Sequence, residues 1–233
     1  MGALKVLAIT GVSLAVLGGA AVVGDGFARS YVEDQVAEQF QIGMSLPEPP
    51  TVELGGIPFS TVFVTRRIPT ASLSATDVPL EISGQQITVD TVQIEAQELT
   101  IDGSEITIGS GRADGLVGYP ALSQLAGVPV AAGDETGRVQ VSYTAELFGR
   151  ELVAMVSAVP TLNDERDRLL LDQPQIQVAG FELSESIAQW IIDELVAPID
   201  LELPYGLIPA EIAADATGVR VAVTAEDFLI PPR

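Results

Sequence analysis

Almost every side chain in this 233-residue sequence that could do chemistry is a carboxylate. There are 32 Asp and Glu residues, but no His and no Cys. A Ser-His-Asp triad, a Cys-His dyad and a zinc site of ordinary composition are therefore excluded. Lys5 is the only lysine and precedes a long apolar run, so Schiff-base and Ser-Lys chemistry are absent from the rest of the chain. Paired carboxylates could still serve a glycosidase, which needs only two acids at a suitable separation. With acids this abundant, closeness in sequence singles out no pair. Asp164, Glu165 and Asp167 could ligate calcium, but they lack the spaced oxygens and central glycine of an EF-hand loop. With Arg166 and Arg168 among them they read as a solvated, charge-balanced turn. The segment from Gly109 to Gly115 is glycine-rich, but its last spacing is wrong for a dinucleotide loop, and it reads as a plain loop. No G-x-S-x-G or P-loop occurs. Neither an enzyme nor a cofactor is expected.

Charge divides the chain at residue 24. Residues 6–23 carry no charged side chain, whereas ten arginines and all 32 acids follow. An 18-residue helix would reach roughly 27 Å, just enough to cross a hydrocarbon core. Lys5 before the run and Asp25 after it predict an inside N-terminus and an outside body. Gly18 and Ala20 would also suit a signal peptidase, so an uncleaved anchor and a cleaved signal both remain open. Either way residues 25–233 are expected outside, in the cell envelope or secreted. The absence of Cys means that this body does without disulfides. Its acidity excludes nucleic acid, since no basic stripe could neutralise phosphates. It also argues against recruitment by anionic headgroups, and is read as a device for solubility.

The elements around these residues are mostly strands. Residues 26–40 read as an amphipathic helix with Phe27, Tyr31, Val36 and Phe40 on its apolar side. Alternation then marks strands at 87–89, 92–94 and 99–101. The phase slips between Val89 and Val92, which predicts a bulge or an unpaired turn at Asp90-Thr91. Turns at Ser83-Gly84, Asp102-Gly103 and Thr217-Gly218 place Leu80 opposite Ile87, Val78 opposite Val89, Leu99 opposite Ile106 and Ala214 opposite Val221. Residues 119–126 read as a short helix between Gly118 and Gly127. Strands resume at 139–144, and the apolar run Leu152 to Val159 suggests a strand buried on both faces. A second long helix is expected from about Ser184 to Val196, with Ile187, Trp190, Ile191 and Leu195 on one stripe and Pro198 beyond its end. On that stripe Trp190 reads first as core, although in a hollow fold the core itself would be the ligand site.

The fold class is therefore α+β. A long curved antiparallel meander is expected to wrap, or pack on, an N-terminal and a C-terminal helix. Residues 1–24 form the membrane or signal segment, and residues 25–233 a single exported domain.

Three stretches carry a family resemblance. They are Asp25-Gly26-Phe27-Ala28-Arg29-Ser30-Tyr31-Val32-Glu33, then Pro49 to Phe59 with its Gly-x-Pro-Phe turn, then Leu203-Pro204-Tyr205-Gly206-Leu207 followed by Thr217 to Val221. Together they resemble the LmeA-like phospholipid-binding proteins, an actinobacterial envelope family related to tubular, BPI-like lipid-binding folds. The resemblance implies an exported, non-enzymatic protein that holds phospholipid in an apolar groove and supports envelope lipid or lipoglycan maintenance. The chain departs from the family pattern at Ser60-Thr61-Val62-Phe63-Val64, where a Leu-rich continuation is usual.

Apart from the resemblance, 47% hydrophobic content beside so little catalytic equipment suits acyl-chain capture. The expected groove is floored by the sheet and flanked by the two longer helices. Its candidate lining is Phe59, Val62, Phe63, Ile187, Trp190 and Ile191. The expected partners are phospholipid and, through residues 6–23, the cytoplasmic membrane. The rival reading is a membrane-tethered structural or protein-interaction module with a filled core and no ligand.

Overall fold

The computed structural model describes residues 25–56, 58, 61–82, 85–102, 105–147, 150–178, 199–200 and 208–230. Antiparallel strands dominate them, with helices in the minority, as an α+β chain requires. Two compact units emerge: Met1–Gly115 with Pro204–Leu207 and Val223–Arg233, and Leu116–Leu203 with Ile208–Ala222.

The first unit starts with α1 (Asp25–Met44). The helix stops where Ser45 turns left-handed, with φ 55°. Ser45 N–H then bonds to Ile42 O at 3.3 Å and Leu46 N–H to Gln41 O at 2.9 Å. This pair of bonds is a Schellman closure, and the residue just beyond it, Leu46, is buried. Gly43 is thus inside the helix, and Ser45 takes the capping position. The buried face of α1 differs from the expected one. Ala28 and Val32 are buried and Val36 is half-buried, at successive four-residue steps, whereas Phe27 is 64% and Tyr31 47% exposed. Small side chains let the helix approach the sheet closely, which large aromatics would prevent.

The strands of this unit are β1 (Thr51–Leu54), β2 (Arg67–Ile82), β3 (Gln85–Asp102), β4 (Glu105–Gly118, as far as Gly115) and the end of β11 (Gly218–Ile230). β1 pairs with β2 and β2 with β3, all antiparallel. A one-turn helix, α2 (Val62–Thr65), precedes β2; the sequence reading gave this stretch no helix. Ala28, Val32, Leu54, Val62 and Ile68 form the core, with Val52, Ala71 and Leu99 against it.

The hairpin at residues 83–84 has the expected register, with Leu80 opposite Ile87 and Val78 opposite Val89. Beyond it the expected bulge or turn at Asp90-Thr91 is absent. Thr91 pairs with Thr76, and the register is the same on either side. The phase slip is instead taken up opposite Asp90 by Asp77, whose φ is 52°. Both strands expose two consecutive residues there, so Ile87 and Val89 give way to Val92, Ile94 and Ala96 on the covered face without an inserted residue. Asp102, expected in the next turn, is instead the last residue of β3, and β4 begins at Glu105; Gly103 lies outside the described residues. Glycines 109 and 111 lie in β4 and not in a loop. A Cβ on Gly109 would come within 3.0 Å of the Glu98 Cβ, so the missing side chain permits close pairing with β3.

The second unit contains α3 (Tyr119–Ala126), with the expected bounds. Its sheet has the order β5 (Val130–Ala132), β6 (Val139–Leu147), β7 (Arg150–Leu162), β8 (Arg168–Val178), β9 (Ile199–Asp200). β7 is not buried on both faces: Ala154, Val156, Ala158 and Pro160 point inward, while Val153 is 41% exposed. The β7–β8 register shifts between Ser157 and Val159, where Gln173 takes φ 50°. Arg138 fills this irregularity although only 5% of it is exposed. Its Nε donates to Ser157 Oγ at 2.9 Å, and one terminal nitrogen donates to Ser157 O at 2.8 Å and Gln173 O at 2.6 Å. The buried cation thus satisfies carbonyls that the bulge removes from the ladder.

β10 (Ile208–Ala214) and the first residues of β11 complete this unit. Asp215 N–H bonds to Gly218 O at 2.9 Å, which puts Ala216-Thr217 at the tip and not Thr217-Gly218. Ala214 therefore comes opposite Val219 instead of Val221, two residues from the expected register. Both side chains lie in a core with Tyr119 and Val139. Gly218 is needed for space: a Cβ there would meet Val117 O at 2.3 Å.

The Asp215 carboxylate closes the turn and gives a pH dependence. Its Oδ1 accepts from Thr217 Oγ1 at 2.6 Å, Thr217 N–H at 2.7 Å and Gly218 N–H at 3.1 Å, and Arg220 approaches its Oδ2 at 3.4 Å. The Thr217 hydroxyl, followed by the Thr217 amide, lowers the Asp215 pKa to about 2, with Gly218 and Arg220 adding to the shift. A depressed carboxyl pKa stabilises the fold above the unfolded value of about 4, and this stabilisation is lost as pH falls through about 2. Asp215→Ala should therefore lower the melting temperature at pH 6 and lower it much less at pH 2. An equal loss at both pH values would show that the carboxylate charge does not close this turn. Tyr119 is tied to the same corner, its hydroxyl donating to Asp215 O at 2.6 Å. Burial, with the Asp215 charge as a second cause, raises the Tyr119 pKa, so it remains a donor.

Candidate functional site

In the first unit, α1 and the sheet bound a cleft of about 570 Å³. Arg29 and Glu33 reach it from the helix, Glu53 and Gly55 from β1 and the residue after it, Thr70 and Ser72 from β2, and Glu95 and Gln97 from β3. Arg29 and Glu33 stand one helical turn apart and both reach the β1 region. One terminal nitrogen of Arg29 donates to Gly56 O. Glu33 Oε1 accepts from Leu54 N–H at 2.8 Å. Gly56 can offer its carbonyl there because its φ of 111° is open to glycine alone. Arg29 and Glu33 thus fasten the helix to the strand edge. The four-residue spacing of an Arg and a Glu was the available sequence signal, hidden among many charges.

Three carboxylates, one guanidinium, two hydroxyls and an amide line this cleft beside the apolar Leu54, Ala71 and Ala96, so it offers polar groups as well as apolar surface. Among the described residues no group of three acids could hold a metal ion. The acids of the 163–168 turn are exposed, and Asn163 organises the turn by accepting from the Asp167 and Arg168 amides at 3.0 and 2.9 Å.

The six expected groove residues are distributed differently. Val62 is 1% exposed and packs within the first core, between Ala28, Val32, Leu54 and Ile68. Phe63 belongs to α2, and its side chain lies outside the described residues. Phe59, Ile187, Trp190 and Ile191 also lie outside them, as does the expected helix from Ser184 to Val196. The apolar residues 6–23 lie outside them too. Among the described residues no helix is long and apolar enough to cross a membrane.

No curated protein and no solved structure matches the chain. The sequence model of the LmeA-like phospholipid-binding family matches residues 23–224. That span includes α1, every strand from β1 to β10 and most of β11, so it covers both units. It also runs through the three stretches that carried the resemblance, and the chain belongs to the LmeA-like phospholipid-binding family.

Proposed function

We propose that this chain is an exported, membrane-associated protein that holds the acyl chains of a two-chain phospholipid in an apolar groove and so supports cell-envelope lipid or lipoglycan maintenance. The observation that carries this reading is the family match over residues 23–224. The composition agrees with it: 47% of the residues are hydrophobic, while His and Cys are absent. Acyl chains are recognised by apolar area, at roughly 25 cal/mol per Å² buried, and need few polar groups. Within the first unit, Phe59 and Phe63 are the proposed chain-facing residues. Within the second, they are Ile187, Trp190 and Ile191. Val62, also expected in the lining, is 1% exposed within the core of the first unit. The tubular sheet-around-helix arrangement implied by the family belongs to the same proposal.

Residues 6–23 are proposed as the tether to the cytoplasmic membrane, with the body outside; cleavage of this segment would release the body into the envelope. Uptake of a pyrene-labelled phosphatidylcholine from vesicles tests the cargo role. Saturable uptake of one lipid per chain, competed by unlabelled phospholipid but not by a single-chain detergent, is expected. A chain that takes up no labelled lipid would be the tethered interaction module instead.

A further inference from the structure

Phe27 and Tyr31 present an aromatic surface at the start of α1. They are 64% and 47% exposed and stand one turn apart. Gly26 and Ser30 are the other exposed residues between 26 and 31, so this surface carries no charge. The one charged residue in that stretch, Arg29, is half-buried and donates to Gly56 O. Among the described side chains of the helix the first exposed acid is Asp34. In a chain with a net charge of −21, an uncharged aromatic surface needs a specific setting.

The preceding chain supplies it. The apolar run ends at Val23, and two residues span at most about 7 Å in any conformation. At 1.5 Å per helical residue, Phe27 lies about 3 Å and Tyr31 about 9 Å beyond Asp25 along the axis. With residues 6–23 in a bilayer, Phe27 is thus within about 10 Å of the end of the run and Tyr31 within about 16 Å. The interfacial layer on each side of the hydrocarbon core is roughly 5–7 Å thick, and aromatic side chains favour it. We propose that Phe27 and Tyr31 enter the outer interfacial layer of the bilayer that holds residues 6–23 and seat the start of α1 on the membrane. This rests on the tethered reading above, and goes beyond it by assigning the contact to the folded body. Ile42 lies on the same side of α1 and is 72% exposed, but about 26 Å from the helix start, so a helix inclined to the membrane far enough to bring Tyr31 into the layer, yet still rising from it, leaves Ile42 outside.

The chain has no cysteine, so single labels can be placed cleanly. Phe27→Cys, Tyr31→Cys and Ile42→Cys, each carrying an NBD fluorophore, are compared as full chains in phosphatidylcholine vesicles. An aqueous quencher should act several-fold more weakly at positions 27 and 31 than at 42, and lipid-borne quenchers should show the reverse order. Equal aqueous quenching at all three sites overturns the proposal, as does failure of the full chain to float with the vesicles. Pyrene-lipid uptake by the same labelled proteins is scored separately. Lost uptake with retained shielding would remove the cargo reading while supporting this contact.

Discussion

Replacing Ile191 with Asp is expected to abolish phospholipid uptake while leaving the fold intact. The position lies on the expected helical stripe with Ile187 and Trp190. A carboxylate placed against acyl chains must be desolvated or protonated, and either course costs several kcal/mol. A penalty of about 3 kcal/mol corresponds to roughly a hundredfold weaker binding. Ile191→Leu preserves apolar volume and should bind as the parent does. Circular dichroism separates loss of the site from loss of the fold. A folded Ile191→Asp protein with parental uptake would take this helix out of the groove.

Arg138→Ala should be the most damaging truncation in the second unit. The change removes a cationic donor from Ser157 Oγ, Ser157 O and Gln173 O. Hydrogen bonds to charged groups contribute more than neutral ones, and buried acceptors left without a donor cost further. The expected loss is about 3 kcal/mol, or roughly 10 °C in melting temperature for a chain of this size. Arg138→Lys should recover only part of it, because an ammonium lacks the planar fork that reaches two strands at once. A melting temperature for Arg138→Ala equal to the parent's would mean that the β7–β8 irregularity needs no filling.

The difference between the two long-range turns shows where local pattern suffices. At residues 83–84 the dipeptide and the flanking alternation agree, and the register follows. At the β10–β11 turn the Thr-Gly dipeptide pointed one residue too far. Asp215 sets that turn by accepting three bonds from Thr217 and Gly218, and dipeptide rules do not weigh such side-chain closure. Gly218 was read as supplying turn geometry, whereas its role is to let β11 pass close to Val117. The slip near Asp90 was visible in the hydrophobic phase, but its cause lies on the opposing strand at Asp77, where single-strand reading cannot look.

The helix face of α1 was misread for a related reason. Large aromatics dominate a periodicity count, yet Ala28 and Val32 are what fit beneath Leu54 and Ile68. The exposed Phe27 and Tyr31 then become a signal of surroundings instead of packing. Arg138 gave no sequence warning, because a lone arginine near a turn resembles any surface charge. Family membership was legible in three stretches of folding signals and not in any reactive group. The proposed groove has no comparable sequence signal, since its expected residues differ from ordinary core residues only in what fills the space beside them.

Mass spectrometry of lipids extracted from the purified chain tests the central claim most directly. The chain is isolated from envelope membranes in a mild detergent, beside an unrelated single-span protein prepared in the same way. The account predicts a two-chain phospholipid retained at about one per chain and absent from Ile191→Asp. A lipid profile identical to that of the control protein would contradict it.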